Sequence, residues 1–199
     1  MSTRDYRSKR DFENSPEPRG DDERSASDKR PCFVIQKHDA STLHYDVRLE
    51  IDGVLKSWAV PKGPSTDPND KRLAIPTEDH PLEYAGFEGV IPKGEYGGGT
   101  VMIWDRGTFR NITEKDNELQ PLDEAWRKGH LLVELDGEKI RGGYALHRTG
   151  SGADANWLLI KIDDDQADAR RNPASTESKS VESGRTMQQI EREESRRDS

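Results

Sequence analysis

Apolar and polar residues alternate with a period of two over much of residues 31–162. The clearest stretch is "LHYDVRLEI", residues 43–51, in which Leu43, Tyr45, Val47, Leu49 and Ile51 fall on one side. A period of two predicts a half-buried strand, because successive side chains of a strand point to opposite faces. Other strand-like runs, which alternate less strictly, are "CFVIQ", "VLKSWAV", "KRLAI", "HLLVELDGEKI", "GGYALHRT" and "NWLLIKI".

Turn signals separate these runs. Asp-Gly pairs at 52–53 and 136–137 predict two hairpins, and an Asp-Arg-Gly turn is expected at 105–107 within "YGGGTVMIWDRGTF". About eight short strands result, a number and spacing typical of a sandwich or a barrel. The fold class is therefore mainly all-β, with one short helix expected over "LDEAWRKG", residues 122–129, which ends in glycine.

Both ends of the chain differ from this middle part. Residues 13–28 are rich in proline, serine and acidic residues, so 1–28 is interpreted as an extended N-terminal arm. After Asp163 large apolar residues almost disappear, which predicts a disordered charged tail over 166–199, with "TMQQIEREESRR" as its only helix-compatible stretch. Residues 29–165 remain as the β domain.

Composition narrows the class of protein. Only 30% of residues are hydrophobic and 35% are charged, so the whole length is not a packed core. Neither a signal peptide nor an apolar run of about 20 residues is seen, and the single cysteine, Cys32, excludes an internal disulfide. The net charge is −8, and no segment is a basic arm, so any nucleic acid is expected at a local site.

The polar face of residues 43–51 carries the first candidate chemistry. His44, Asp46, Arg48 and Glu50 share that face, and His38 lies six residues before His44 across a predicted turn. Two imidazoles and a carboxylate suit Mn²⁺, Fe²⁺ or Zn²⁺, and an adjacent arginine suits a phosphate. The alternative is the solvated face of an edge strand, which this spacing alone does not exclude.

Other polar residues form a second group. His80 precedes a proline in "EDHPLEY", with Tyr84 four residues later. Lys62 lies in the loop "AVPKGPS", and Arg72 begins the strand "KRLAI". Lys62 and Arg72 are each an ordinary solvated charge when taken alone, but together they place basic groups in an acidic domain. Gly97, Gly98 and Gly99 are interpreted as a bulge or tight bend, since no helix follows to make a phosphate-binding loop.

Three long segments resemble the 3′-phosphoesterase module of bacterial DNA ligase D and its stand-alone prokaryotic relatives. They are "FVIQKHDASTLHYDVRLEIDGVLKSWAVPKGPS", "KRLAIPTEDHPLEYAGFEGVIPKGEYGGGTVMIWDRGTF" and "WLLIKIDD", and the likeness covers about Tyr6 to Asp164. The resemblance implies a compact antiparallel β-barrel with a polar groove. It also implies a metal-dependent enzyme, typically with Mn²⁺, that removes a 3′-terminal ribonucleoside and then the 3′-phosphate to leave a 3′-hydroxyl.

The resemblance also assigns residues. It implies metal ligands at His38, His44 and Asp46, phosphate contacts from Arg48 and His80, and further site positions at the following residues: Lys62, Arg72, Tyr84, Arg10, Asp11 and Glu17. The last three lie in the N-terminal "YRSKRDFENSPEP", so the arm is expected to contribute to the site. Zn²⁺ and Co²⁺ are alternative metals.

The expected partner is a DNA or RNA-tipped DNA 3′ end, with separate ligase, polymerase and Ku proteins in the same repair process. The setting expected for a stand-alone member is the prokaryotic cytoplasm at the nucleoid, with no membrane contact. Two alternatives remain. One is a non-catalytic module that binds DNA ends or a repair partner; the other is a cupin-like metal oxygenase or small-molecule barrel, which explains the two histidines and carboxylate but not the surrounding arginine, lysine and tyrosine.

Overall fold

A computed structural model describes residues 3–20, 30–152 and 155–196 of the protein. Strands dominate, and they are, in chain order, β1 Cys32–Asp39, β2 Leu43–Ile51, β3 Val54–Val60, β4 Lys71–Pro76, β5 Gly89–Ile91, β6 Gly99–Asn111, β7 Glu114–Lys115, β8 Glu118–Leu119, β9 His130–Gly137, β10 Arg141–Arg148 and β11 Trp157–Lys161. The helices are α1 Thr3–Ser8, α2 Leu122–Lys128, α3 Pro173–Thr176 and α4 Met187–Glu194, with a 3₁₀ helix at Leu82–Gly86. No helix within these ranges is long and apolar enough to cross a membrane.

Eight strands form a closed antiparallel barrel in the order β1-β2-β3-β4-β11-β10-β9-β6, and β6 pairs with β1 to close it. The short β5 adds to the other end of β6. The predicted all-β barrel of about eight strands is therefore confirmed. The part of the chain that the structure describes has several short helices where one was expected, and α2 is the one at the predicted position.

The alternating pattern of β2 is reproduced in the fold. Tyr45, Val47, Leu49 and Ile51 face the main core, while Leu43 at the strand start is 43% exposed. Asp52 and Gly53 both have positive φ, which is the backbone of a tight type I′ hairpin turn. This hairpin fixes the β2–β3 register, which pairs Ile51 with Val54.

Of the two other turn predictions, the one at 105–107 is wrong and the hairpin after β9 is confirmed. The Asp-Arg-Gly segment at 105–107 is wrong as a turn, because β6 continues through it as one 13-residue strand. Its register against β1 shifts there, with Gln36 opposite Ile103 and Ile35 opposite Asp105, so the turn signal marks a β-bulge. At the second hairpin, the Asp-Gly pair ends β9 and the chain reverses just after it. There the Asp105 carboxylate accepts backbone hydrogen bonds from residues 138–140.

Residues 166–196 pack against the barrel, whereas a disordered tail was expected over 166–199; positions 197–199 lie outside the described residues. The Tyr45 hydroxyl donates to the Ala174 carbonyl at 2.7 Å, and the Trp104 indole donates to the Glu177 carbonyl at 2.6 Å. Ile190 of α4 is fully buried in the main core. A few apolar residues and many backbone hydrogen bonds suffice here because the segment packs against a preformed barrel, which composition does not reveal.

The N-terminal arm packs on the outside of the barrel. Tyr6 of α1 is fully buried in a second apolar cluster with Leu55, Tyr84, Phe87 and other residues. The Tyr6 hydroxyl donates to the Pro18 carbonyl at 2.7 Å and so holds the returning chain against α1. Positions 1–2 and 21–28 of the predicted arm lie outside the described residues.

Candidate active site

The candidate metal ligands lie opposite one another on β1 and β2. The antiparallel register pairs His38 with His44 and Gln36 with Asp46, so all four side chains share one face. The ring centroids of His38 and His44 are 4.9 Å apart. His38 Nδ1 and His44 Nε2 each lie 3.5 Å from an oxygen of the Asp46 carboxylate. One ligand atom from each of His38, His44 and Asp46 can be chosen so that all lie within 4.8 Å of one another.

Backbone carbonyls orient both imidazoles. His38 Nε2 lies 2.8 Å from the Gly97 carbonyl, and His44 Nδ1 lies 2.8 Å from the Thr42 carbonyl. Carbonyl oxygens only accept, so we assign the ring proton to these nitrogens, which leaves lone pairs on His38 Nδ1 and His44 Nε2. Two lone pairs and a carboxylate thus converge. This donor set fits a divalent cation, and the carbonyls are the outer partners that metal-binding histidines usually have.

Asp46 is kept ionised despite its burial. Burial alone would raise the pKa of this carboxyl, but the Arg48 guanidinium and the His38 and His44 imidazoles hold that pKa well below its usual range. The Asp46 carboxylate in turn raises the pKa of His44 against the opposing effect of burial. The site therefore provides a permanent negative charge for a cation.

Arg48 is locked in place by neighbours on three sides. Its Nη2 donates to Asp46 at 2.9 Å, its Nε donates to the Gln36 amide oxygen at 2.7 Å, and its Nη1 lies 3.0 Å from His80 Nδ1. The Tyr84 ring lies against it, 4.9 Å from centroid to guanidinium carbon. A guanidinium fixed in this way is preorganised to bind a phosphate.

His80 connects the barrel to the arm. A β-bridge between Leu55 and His80 holds its backbone, and its Nε2 lies 3.3 Å from Arg10 Nη2. Burial together with the Arg48 and Arg10 charges holds the pKa of His80 well below its usual value, so the imidazole is neutral. A neutral imidazole between two guanidinium groups can accept a hydrogen bond or a proton.

Arg10 brings the N-terminal arm into the site. Its Nε donates to Glu17 at 2.7 Å and its Nη1 donates to Glu78 at 3.1 Å, with all three side chains almost fully buried. Backbone hydrogen bonding and the Arg10 charge lower the pKa of Glu78 although burial acts against them. These carboxylates fix the Arg10 guanidinium beside His80.

A cavity of about 170 Å³, called the cleft below, joins these groups. Its walls include Arg10, His38, His44, Asp46, Arg48, Glu78, His80 and Tyr84. Glu17 lies behind Arg10 and completes the set that the structure brings together. The polar face of β2 is thus not a solvated edge-strand face, since Asp46 and Arg48 are only 5% and 3% exposed.

Three predicted positions lie away from the cleft walls. Lys62 is exposed in the loop after β3, and Arg72 of β4 pairs with Asp70 at 2.8 Å. Asp11 is exposed, and its carboxylate accepts hydrogen bonds from the Glu13 backbone and the Asn14 amide, which stabilises the turn of the arm. Glu50, on the same strand face as Arg48, accepts a hydrogen bond from the Cys32 backbone N–H.

Two residues of the site were missed by the sequence interpretation. The buried Gln36 binds Arg48, and Glu78 binds Arg10. Gln36 had a visible signal, because it lies two residues before His38 on the same strand and thus on the same face. Glu78 had no comparable signal, since its partner is 68 residues away in the chain.

Comparison with known proteins identifies a family and several relatives. Residues 36–148 match the family described as the DNA Ligase D 3′-phosphoesterase domain. The chain is 51% identical over 164 residues to the multifunctional non-homologous end joining protein LigD of Pseudomonas aeruginosa, covering 82% of the chain and 19% of that protein. Identity to the LigD of Mycolicibacterium smegmatis is 47% over 166 residues, covering 83% of the chain and 21% of the relative.

The LigD DNA repair protein of Mycobacterium tuberculosis is 48% identical over 157 residues, which cover 79% of the chain and 19% of that relative. The chain thus spans about a fifth of the length of the curated relatives that it matches. The matched region contains the cleft residues on β1, β2 and the segment before the 3₁₀ helix. On this evidence the chain belongs to the DNA ligase D 3′-phosphoesterase domain family.

Proposed function

We propose that the protein is a metal-dependent phosphoesterase that trims the 3′ ends of DNA for end-joining repair. One observation carries this proposal: a His-His-Asp ligand set and two fixed guanidinium groups meet in one cleft. The family match and the end-joining proteins among its relatives support DNA as the substrate. Mn²⁺ is the proposed ion, held by His38, His44 and Asp46.

The residues of the cleft have separate roles in this proposal. Arg48 and Arg10 bind the oxygens of the scissile phosphate and stabilise the charge that spreads over them during reaction. His80 binds the phosphate or, because it is neutral, accepts a proton from the attacking water, and Tyr84 orders the Arg48 and His80 side chains by packing on both. A bound divalent ion would add Lewis-acid activation of the phosphate.

The two proposed reactions differ in the bond that breaks. With a terminal ribonucleoside, water adds to phosphorus and the bond to the ribose O5′ breaks, which leaves a 3′-phosphate on the DNA. In the second reaction water adds to that phosphorus and the bond to O3′ breaks, which releases inorganic phosphate and a 3′-hydroxyl. The leaving oxygen takes up a proton in each case. The 3′-hydroxyl left by the second reaction is the end that a polymerase or ligase requires.

Residues outside the cleft have a proposed role in binding flanking substrate. Lys62 and Arg72 are basic groups near the protein surface and would contact phosphates or the terminal sugar beyond the scissile bond. Asp11 would act through the shape of the arm, since it stabilises the turn that returns the chain toward Glu17.

The test uses a primer–template with a 3′-phosphate or a 3′-ribonucleotide, incubated with Mn²⁺, other divalent ions or EDTA. We expect phosphate release with the metal and none in EDTA, His44→Ala or Asp46→Ala. His130→Ala is the matched control, because His130 is exposed on β9 outside the cleft. Release that persists in the Asp46→Ala variant would refute the metal assignment.

A second variant separates catalysis from metal binding. Arg48→Ala should lose turnover but retain metal binding measured by calorimetry, since Arg48 is not a ligand. The alternative function, a non-catalytic DNA-end-binding module, predicts tight binding of primer ends without phosphate release under any metal.

A further inference from the structure

A second cavity lies beside the cleft and is lined by tryptophan. Its volume is about 310 Å³, larger than the cleft and within the range of small-ligand sites, about 300–1,000 Å³. Trp58 and Trp157 pack edge to face, 5.5 Å between ring centroids, and are only 1% and 3% exposed. Trp126 of α2 also lines the cavity and is partly exposed. This tryptophan cavity thus has deep aromatic walls and one accessible ring.

The polar groups of the tryptophan cavity suit a ligand that places an uncharged planar ring inside the cavity and an anionic backbone outside it. Lys56 Nζ lies 2.7 Å from the Asp79 carboxylate and 4.0 Å from the Trp126 ring centroid, so its charge is already paired. Arg148 lies over the Trp157 ring at 5.8 Å, and Arg127 adds a second guanidinium to the lining. Aromatic rings combined with arginine are the usual surface on which single-stranded bases stack.

The tryptophan cavity and the cleft lie on the two sides of one short extended segment. Thr77 lines both cavities, Glu78 and His80 line the cleft, and Asp79 lines the tryptophan cavity. Successive residues of an extended chain point to opposite sides, which explains this division. Hydrogen bonds between Thr77 N and the Ser57 carbonyl at 3.0 Å, and between Leu55 and His80, hold the segment against β3.

We propose that the tryptophan cavity binds a nucleobase of the DNA strand whose 3′ end occupies the cleft. This inference rests on the proposed function, which places a 3′-terminal phosphate between Arg48 and His80. The neighbouring nucleotides of that strand then pass the segment 77–80, where an unstacked base meets Trp126. Binding in this subsite comes from stacking, which does not distinguish one base from another, so the subsite accepts any base.

The test measures equilibrium binding of a fluorescently labelled 3′-phosphate primer–template in EDTA, so that no hydrolysis occurs. Stacking of one base contributes about 1–3 kcal/mol, so Trp126→Ala should weaken binding about 5- to 150-fold. Trp126→Phe should retain most of the affinity because it keeps an aromatic face. Arg110→Ala, an exposed basic residue on β6, controls for general electrostatic loss, and thermal unfolding confirms that each variant is folded.

An abasic sugar placed at each of the last three nucleotides identifies the base. At one position the abasic substrate should bind the wild-type protein as weakly as Trp126→Ala binds the intact substrate, and combining both changes should add nothing further. Equal affinity of Trp126→Ala and wild type, or additive effects at every position, would overturn the subsite.

Separate measurements distinguish the subsite from the proposed function. Phosphate release assayed with Mn²⁺ tests the cleft, and the binding cycle in EDTA tests the tryptophan cavity. A protein that shows the Trp126 coupling but never releases phosphate has the subsite without the activity. A protein that releases phosphate equally well from intact and abasic primers, with no Trp126 effect on binding, has the activity without the subsite.

Discussion

Replacing Gln36 by leucine tests the view that Arg48 is held in place by its neighbours. The buried Gln36 amide makes three hydrogen bonds: its oxygen accepts from Arg48 Nε at 2.7 Å, and its nitrogen donates to the Tyr84 and Phe87 carbonyls at 3.0 and 2.9 Å. Leucine has a similar volume but makes none of them. Gln36→Leu therefore leaves two buried groups without a partner, the Arg48 Nε–H and the Phe87 carbonyl, while the Tyr84 carbonyl still accepts from the Phe87 backbone N–H.

The cost follows from these contacts. Each buried polar group left unpaired costs about 1–3 kcal/mol, so Arg48 Nε and the Phe87 carbonyl together predict a loss of about 2–6 kcal/mol in the free energy of unfolding. Arg48 keeps its bond to Asp46 but can rotate about it, because the Nε anchor is gone. Misplacing a catalytic group by about 1 Å costs up to roughly 100-fold in rate, so we expect kcat to fall about 10- to 100-fold.

Urea unfolding and steady-state phosphate release measure the two effects. The rate is measured under conditions in which the variant is fully folded, so that lost stability is not mistaken for lost turnover. Gln166→Leu makes the same chemical change on an exposed side chain and should alter stability by less than about 0.5 kcal/mol. If Gln36→Leu unfolds at the wild-type urea concentration and keeps wild-type kcat, then Gln36 does not position Arg48 and the reasoning fails.

Three further predictions concern the arm, the ion pairs and the C-terminal segment. Tyr6→Ala removes a fully buried ring whose centroid lies 4.9 Å from that of His80. It should undock residues 3–20, expose them to protease and lower phosphate release at least 10-fold. An arm that stays protected from protease would contradict this prediction. Because the pKa of Glu78 is lowered on folding, its stabilising effect is complete above its usual value of 4.5 and is lost as pH falls through the lower folded pKa. The difference in unfolding temperature between wild type and Glu78→Gln should therefore shrink from pH 6 to pH 3. Ile190→Ala should cost about 2–5 kcal/mol by chemical denaturation, whereas the exposed Gln188→Ala should be near neutral; equal effects would mean that α4 does not pack as described.

The strand-level features of the fold were accessible from the sequence because they depend on local periodicity. The alternation in residues 43–51 identified the core face of β2 and put His44, Asp46 and Arg48 on the opposite face. The Asp-Gly pair at 52–53 predicted the hairpin that follows. His38 was correctly brought beside His44 because only a short turn separates their strands.

The burial of the polar face of β2 could not be predicted from local periodicity. Arg48 and Asp46 are buried because the arm, the segment around His80 and the 3₁₀ helix pack over them, and these contacts join residues far apart in the chain. The same reason explains why the packing of the C-terminal segment was not expected. Ile190 and Met187 are isolated apolar residues in a charged stretch, and only the barrel surface gives them a place to pack.

Burial changes what the polar face of β2 can do. In the cleft and directly behind it, the two guanidinium groups of Arg10 and Arg48 face three carboxylates, those of Asp46, Glu78 and Glu17. Without a cation these five side chains carry one net negative charge, so a phosphate is held by the preorganised donors and not by the net charge. A divalent ion bound by Asp46 and the two imidazoles would reverse the sign of that charge and raise the affinity for a phosphate. By thermodynamic linkage, a bound phosphate would strengthen ion binding by the same factor. The buried charge balance thus favours substrate and ion binding together, which a solvated row of the same residues would not do because water would screen its charges from one another.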